Sequence, residues 1–388
     1  MSKCLYCGAS AEPIQDTCPA CGKRILKSTI QDLAQSLWLK SIVPGQSPGQ
    51  SIRTLPPEAG GTHPPHLRLR KVSSDSARES DSDYELLRVL GQGGMGLVYQ
   101  ARQIAVDRPI ALKMLLPDPP GEPARQDLFL AEALVTGRLD HPNIVPIHDL
   151  GRDDNGRLLY AMREVKGQPW SEALRTNTQR ANLDILMRVC DAVAFAHSQG
   201  IIHRDLKPQN VMLGEFGEVV VMDWGLAASV KDGSPAMRVT EQTAFCGTPA
   251  YMAPEMALGM WELIGPRSDV YLLGAILFEI VAGTPPHLMA DDDAMDALGA
   301  AALNKIRETK VRGELLDVAL RAMADAPVNR HASVKEFQAA VRACLDHQES
   351  ERLAAAAADK LAAAATSKVY EDFAEALFGY RQALRIWP

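Results

Sequence analysis

Two clusters of residues are equipped for chemistry by type and spacing alone. Gly91-Gln92-Gly93-Gly94-Met95-Gly96 forms a G-x-G-x-x-G frame with Val98 just beyond it. Glycine has no Cβ, so such a backbone can approach phosphate oxygens closely and take angles closed to other residues. By itself the frame also marks dinucleotide folds and tight turns. The next segment separates these readings: a dinucleotide loop opens a helix and has an acid about 20 residues on. Here β-patterned segments flank the loop, and Lys113 follows in Ile110-Ala111-Leu112-Lys113. The second cluster is Cys4, Cys7, Cys18 and Cys21, two C-x2-C pairs ten residues apart, with Gly8 and Gly22 after the second cysteine of each pair. Two such turns offer four thiolates to one tetrahedral Zn2+. A redox dithiol is the other reading, and the doubled, symmetric pattern favours the metal. So small a segment has little core and would depend on the ion to fold.

Three further motifs follow. They are His203-Arg204-Asp205-Leu206-Lys207-Pro208-Gln209-Asn210, then Asp223-Trp224-Gly225 after an apolar strand, then Gly247-Thr248-Pro249-Ala250-Tyr251-Met252-Ala253-Pro254-Glu255. With the glycine loop and Lys113 they stand in the order of one family. From about Tyr84 to Leu345 the chain resembles a protein kinase of the eukaryotic-like serine/threonine type found in bacteria. The resemblance implies that Leu90, Gly91, Gln92, Gly93, Gly94, Met95, Gly96, Val98 and Ala111 enclose ATP. It implies that Lys113 holds the α- and β-phosphates and is paired with Glu132 on the next helix. Asp205 would accept the substrate hydroxyl proton, and Lys207 would contact the transferring phosphate, a lysine there going with serine/threonine substrates. Asn210 and Asp223 would supply oxygen ligands to Mg2+. Glu255 would pair with Arg330, and Asp269 would brace the catalytic loop. Arg204 beside Asp205 implies control by phosphorylation, with Thr240 and Thr243 as the placed sites and Ser229 and Ser234 behind them. Two positions depart from the family pattern: Trp224 stands where Phe is usual, and Arg163 where similar kinases carry an acid. The cysteine cluster is similar to a short zinc ribbon.

The elements that must position these residues are legible in outline. YELLRVLG, LVYQARQ and PIALKMLL read as three short strands separated by turns. Beyond Asp127 the periods become helical, with Leu183, Leu186, Cys190, Val193 and His197 on one helix face. Strands first and helices later predict an α+β, bilobal fold with a small β-rich lobe and a larger helical lobe. The run from Val270 to Phe278, bounded by Asp269 and Glu279, is too short to span a bilayer and reads as a buried helix. The expected organisation is a zinc-ribbon-like module over 1–25, then a short amphipathic helix (26–40) and a flexible Pro/Gly/Ser-rich linker reaching 83. The kinase domain follows over 84–345, then an Ala-rich helical tail over 349–388. The tail's DFAEALFGYRQALRIWP resembles the second helix and terminal proline of a tetratricopeptide repeat. The start of a repeat array and a plain C-terminal helix both remain open here.

Bulk properties bound the function. A net charge of -7 argues against a general nucleic-acid binder. Seven cysteines, four of them clustered and Cys190, Cys246 and Cys344 scattered, are not a disulfide framework and point to a reducing compartment. No signal peptide and no membrane segment are visible, so a cytoplasmic location is expected. The expected partners are protein substrates bearing Ser or Thr, plus proteins bound through the zinc ribbon and the C-terminal helices. An active kinase in bacterial signalling competes with a pseudokinase scaffold. Retention of Lys113, Glu132, Asp205, Asn210 and Asp223 favours activity.

Overall fold

The structure is a computed structural model. It describes residues 2–3, 10–11, 18, 20–21, 52–53, 70–72, 83–92, 96–116, 125–153, 155–230, 237–239, 246–287 and 294–387. The amphipathic helix expected over 26–40 lies outside these residues. In the N-terminal segment Ser2–Lys3 pairs antiparallel with Ser10–Ala11. Among the described residues, the Pro/Gly/Ser-rich stretch contributes two short strands, β1 (Ile52–Arg53) and β2 (Arg70–Val72). Its average composition hides both, because each is only two or three residues long.

The first lobe is built on a six-stranded sheet. β3 (Tyr84–Gln92), β4 (Gly96–Gln103) and β5 (Arg108–Leu115) form an antiparallel meander over the three segments expected as strands. Helix α1 (Arg125–Arg138) follows, then β6 (Ile147–Asp153) and β7 (Leu158–Arg163). The strand order is β2-β6-β7-β5-β4-β3, antiparallel except for the parallel β2–β6 pair at the edge. Alternation along β5 divides its side chains between two cores. Ile110, Leu112 and Met114 pack with Tyr84, Ala101, Leu159 and Ala161. Ala111 and Leu115 pack with Phe129, Leu130 and Ala133 of α1. Lys113 shares the second face, so the strand's period aims it at α1. β4 crosses β5 closely at Gly96, where a Cβ would lie 2.6 Å from the Met114 carbonyl oxygen.

The second lobe is helical. α2 (Gln179–Ser198) is capped by Thr178, whose hydroxyl accepts from the Ala181 amide, and it buries Leu183, Leu186, Cys190 and Val193. A hairpin of β8 (Val211–Gly214) and β9 (Val219–Val221) follows, then β10 (Cys246–Gly247). α3 (Pro266–Ala282) contains the long apolar run and is buried from Ser268 to Phe278, so it forms the centre of this lobe. It starts with Pro at N1 and stops at Gly283, whose φ of 82° ends the helix in the left-handed region. α4 (Glu314–Ala322) packs on it where Gly274 meets Ala322.

The change in composition at Glu349 does not break the last helix of this lobe: α5 runs unbroken from Val334 to Ser367. Lys368 turns the chain with φ 54°, and α6 (Tyr370–Ile386) folds back along α5. Small residues at the contact bring the two backbones close. Ala357, Ala364, Ala376 and Ala383 are buried, and a Cβ on Gly379 would lie 2.8 Å from that of Ala357. Among the described residues no helix is long and apolar enough to cross a membrane.

Candidate active site

The sheet and α1 deliver the first pair of charged groups. Lys113 Nζ lies 2.7 Å from Glu132 Oε1, and the carboxylate is almost fully buried. Tyr160, on the neighbouring strand β7, donates its hydroxyl to the same oxygen at 2.7 Å. Burial, reinforced by the Glu132 charge, pushes the Tyr160 phenol well above its ordinary pKa. The hydroxyl therefore remains a donor. Glu132 Oε2 is buried and has no hydrogen-bond partner among the described residues. The pair depends on the Lys113 and Tyr160 contacts at a single oxygen.

Along the loop over this site, Leu90 is exposed and Ala111 buried, with Val98 packed against the α1 face of the sheet. Gly91, Gln92 and Gly96 belong to β3 and β4. Gly93, Gly94 and Met95 lie outside the described residues.

The His203–Asn210 motif leaves α2 through Ile201–Ile202. Its backbone is clamped by Asp269 of α3. Asp269 Oδ2 accepts from the His203 amide at 2.8 Å, Oδ1 accepts from the Arg204 amide at 2.9 Å, and His197 Nε2 lies 2.7 Å from Oδ2. Burial would raise the Asp269 pKa, but the His197 contact, followed by the charge and amide of His203, outweighs it and holds the carboxyl below its ordinary value. The clamp holds Arg204 at φ 68°, a region costly for a non-glycine residue.

Four side chains then meet. Thr248 donates its hydroxyl to Asp205 Oδ1 at 2.6 Å and accepts from Lys207 Nζ at 2.7 Å. Lys207 Nζ is 3.3 Å from Asp205 Oδ2. Asn210 Nδ2 donates to the Asp205 carbonyl at 2.8 Å and to Oδ2 at 3.1 Å. All four residues are buried. The loop carrying Asp223 is stitched to this one, since the Met222 amide donates to the Asn210 carbonyl at 2.8 Å. Asp223 follows with φ 55°. Trp224 is fully buried, its ring 4.6 Å from that of His203. The larger ring is thus accommodated beneath the loop, although Nε1 has no partner among the described residues.

Residues 84–362 match the protein kinase domain family. The chain belongs to that family. It is 35% identical over 308 residues to the serine/threonine-protein kinase PknB of Mycolicibacterium smegmatis, covering 72% of this chain and 48% of that protein. PknB of Mycobacterium tuberculosis is 34% identical over 271 residues, covering 66% of this chain and 42% of that one. The serine/threonine-protein kinase PknD of Chlamydia muridarum is 32% identical over 299 residues, covering 67% and 31%. The chain therefore spans less than half the length of these curated relatives.

Within this kinase domain the structure brings together Lys113 with Glu132, and Asp205 with Lys207 and Asn210. Arg204 is buried and donates from Nε to the Leu226 carbonyl at 2.7 Å. Its expected partners Thr240 and Thr243 lie outside the described residues, as do Ser234, Cys4 and Cys7. Cys18 is buried and Cys21 exposed. Among the described residues no group of three or more His, Cys, Asp or Glu could hold a metal. Glu255 and Arg330 pair through two 2.7 Å bonds with both side chains fully buried. Arg163, in place of the usual acid, turns outward to Glu218 at 2.8 Å. Sequence reasoning missed Tyr160 as the second donor to Glu132, because a tyrosine in an apolar strand carries no signal of its partner. It named Thr248 without its bond to Asp205, though the Gly-Thr-Pro motif was the available cue.

Proposed function

We propose that this chain is an active serine/threonine protein kinase that transfers the γ-phosphoryl group of ATP to a protein hydroxyl. The observation that carries the reading is the Asp205, Lys207, Asn210 and Thr248 network, because it holds one carboxylate and one ammonium buried at hydrogen-bond distance. In this reading Asp205 orients the substrate hydroxyl and accepts its proton as the new oxygen–phosphorus bond forms and the bond to ADP breaks. Lys207 neutralises charge on the transferring group. Lys113, steadied by Glu132 and Tyr160, binds the α- and β-phosphates. Leu90, residues 91–96, Val98 and Ala111 enclose the nucleotide.

Asn210 and Asp223 would hold Mg2+, which when bound neutralises phosphate charge. Their amide and carboxylate oxygens are the hard donors this ion takes. Asn210 fits, because Nδ2 is spent on Asp205 and the amide oxygen is the donor that remains. Cys4, Cys7, Cys18 and Cys21 would hold a structural Zn2+ through four thiolates, and the Ser2–Lys3/Ser10–Ala11 pairing brackets the first cysteine pair. Phosphate on Thr240 or Thr243, paired with Arg204, would order the activation segment. The setting we propose is cytoplasmic bacterial signalling, with protein partners engaged through the zinc module and the C-terminal helices.

The test is incubation with labelled ATP and Mg2+, comparing the parent chain with Asp205→Asn and mapping label by mass spectrometry. Label on Ser or Thr in the parent alone is expected. ATP binding without any transfer, or no ATP binding at all, would overturn the proposal in favour of a scaffold.

A further inference from the structure

Among the described residues, the segment that precedes the kinase domain touches it at two places. β2 adds to the edge of the first-lobe sheet, with Arg70, Lys71 and Val72 opposite Gly151, Arg152 and Asp153. β1 lies antiparallel to β10, with Arg53 opposite Cys246 and Ile52 opposite Gly247. β10 runs directly into Thr248, whose hydroxyl is 2.6 Å from Asp205 Oδ1. The same stretch presses against the catalytic loop, since a Cβ on Gly247 would lie 3.0 Å from the Arg204 carbonyl oxygen. A polypeptide that presents a hydroxyl to Asp205 has to pass beside this stretch. Extended peptides add to an exposed strand edge through main-chain hydrogen bonds, largely whatever their side chains.

We infer that β1 occupies the strand edge that a protein substrate needs, so that the chain's own pre-kinase segment competes with substrate for the site. This rests on the kinase reading above and adds a mode of regulation to it.

A two-residue strand makes too few bonds to hold alone. Its tether supplies the rest. Sixteen residues, 54–69, separate β1 from the anchored β2. At about 3.3–3.6 Å per residue they reach at most about 58 Å, which confines β1 to the neighbourhood of β2. A short tether of this kind sets an effective concentration in roughly the millimolar range. Such a contact is strong enough to compete with a weakly bound protein substrate. It is also weak enough to be released when a partner pulls on the segment.

The strand register supplies the test. Directly opposed antiparallel residues have Cα atoms about 4.5–5.5 Å apart, inside the range of about 4.4–6.8 Å that a disulfide spans. In the full chain, Arg53→Cys should therefore form a bridge to the native Cys246 under mild oxidation, detected by peptide mapping. The bridged chain should phosphorylate a generic serine/threonine protein substrate about tenfold more slowly or worse, with ATP affinity within about twofold of the reduced form. Reductant should restore turnover. Ile52→Pro, which removes a backbone donor from β1, should lower the KM for protein substrate by about three- to tenfold with kcat unchanged. Absence of the 53–246 bridge, a bridged chain with undiminished turnover, or an unchanged KM in Ile52→Pro would overturn the inference. The bridge is read without turnover. A parent chain that phosphorylates nothing would refute the kinase reading, while the bridge alone would still decide whether β1 lies on β10.

Discussion

Replacing Thr248 by Val keeps the side-chain volume and deletes one hydroxyl that serves two charged groups. That hydroxyl donates to Asp205 Oδ1 at 2.6 Å and accepts from Lys207 Nζ at 2.7 Å. Hydrogen bonds to charged groups contribute roughly 1.5–3 kcal/mol each. Part of the loss is recoverable, because Lys207 Nζ already stands 3.3 Å from Asp205 Oδ2 and can close on it. A net loss of roughly 2–4 kcal/mol in the positioning of Asp205 follows. At about 1.4 kcal/mol per decade this lowers kcat by roughly 30- to 1000-fold. Thr248→Ser retains both bonds and should stay within about fivefold of the parent. Steady-state kcat and KM for ATP and for a protein substrate, measured with saturating Mg2+, read the effect. The thermal midpoint of each variant excludes unfolding as its cause. A Thr248→Val chain that keeps a third or more of the parent kcat would show that the hydroxyl does not position Asp205.

Glu132→Gln removes the buried charge that holds Lys113, and kcat/KM for ATP should fall by at least about 100-fold; a loss below tenfold would refute the role given to the pair. Glu255→Gln breaks a fully buried ion pair and should cost about 3–5 kcal/mol, seen in a denaturant or thermal melt, with an unchanged midpoint as the contrary result. Glu279, half-buried and accepting from Tyr251 at 2.7 Å, has its carboxyl pushed up to about 7, chiefly by desolvation. The folded form therefore holds a proton that the unfolded chain releases above roughly pH 4.5, and stability drops by about 3 kcal/mol as pH rises from 4.5 through 7. His287 opposes this. Burial lowers it to about 4, so its contribution is lost as pH falls from roughly 6.5 through 4. Glu279 thus offsets the rise that His287 contributes between pH 4.5 and 6.5, and Glu279→Gln should steepen the rise of stability with pH relative to the parent; an unchanged profile would refute the assignment.

The two lobes were legible because binary pattern and motif agreed. The period of β5 predicts which face Lys113 takes, and the apolar run in α3 can only be buried. The Asp205 loop was legible as a motif, but its partner Thr248 lies far along the chain, and nothing in local sequence reports a hydroxyl's direction. The same limit hid Tyr160, which reaches Glu132 across 28 positions. The Glu255–Arg330 bond, across 75 positions, was readable only because both ends carry family motifs. β1 and β2 were hidden by scale. Two or three residues cannot establish a period, so the composition of the surrounding segment dominated the reading. The α5–α6 contact was hidden for another reason: alanine favours helix whether or not it is buried, so an Ala-rich stretch does not announce which face will be covered.

The continuity of α5 has a mechanical consequence. Its first turns are locked into the second lobe by Val334, Phe337 and Val341, and by Gln338, which donates to the Met187 carbonyl at 3.0 Å and to Asp191 at 2.7 Å. Its last turns carry α6. With 34 residues rising about 1.5 Å each, the helix is a stiff rod of about 50 Å with no hinge along it. A torque applied to α6 therefore cannot be absorbed by a swivel between domain and tail. It must either bend the rod or reach Gln338, whose partners Met187 and Asp191 stand on α2, the helix that leads into the Asp205 loop. The tail is geared to the kinase domain, and a load on one end is felt at the other.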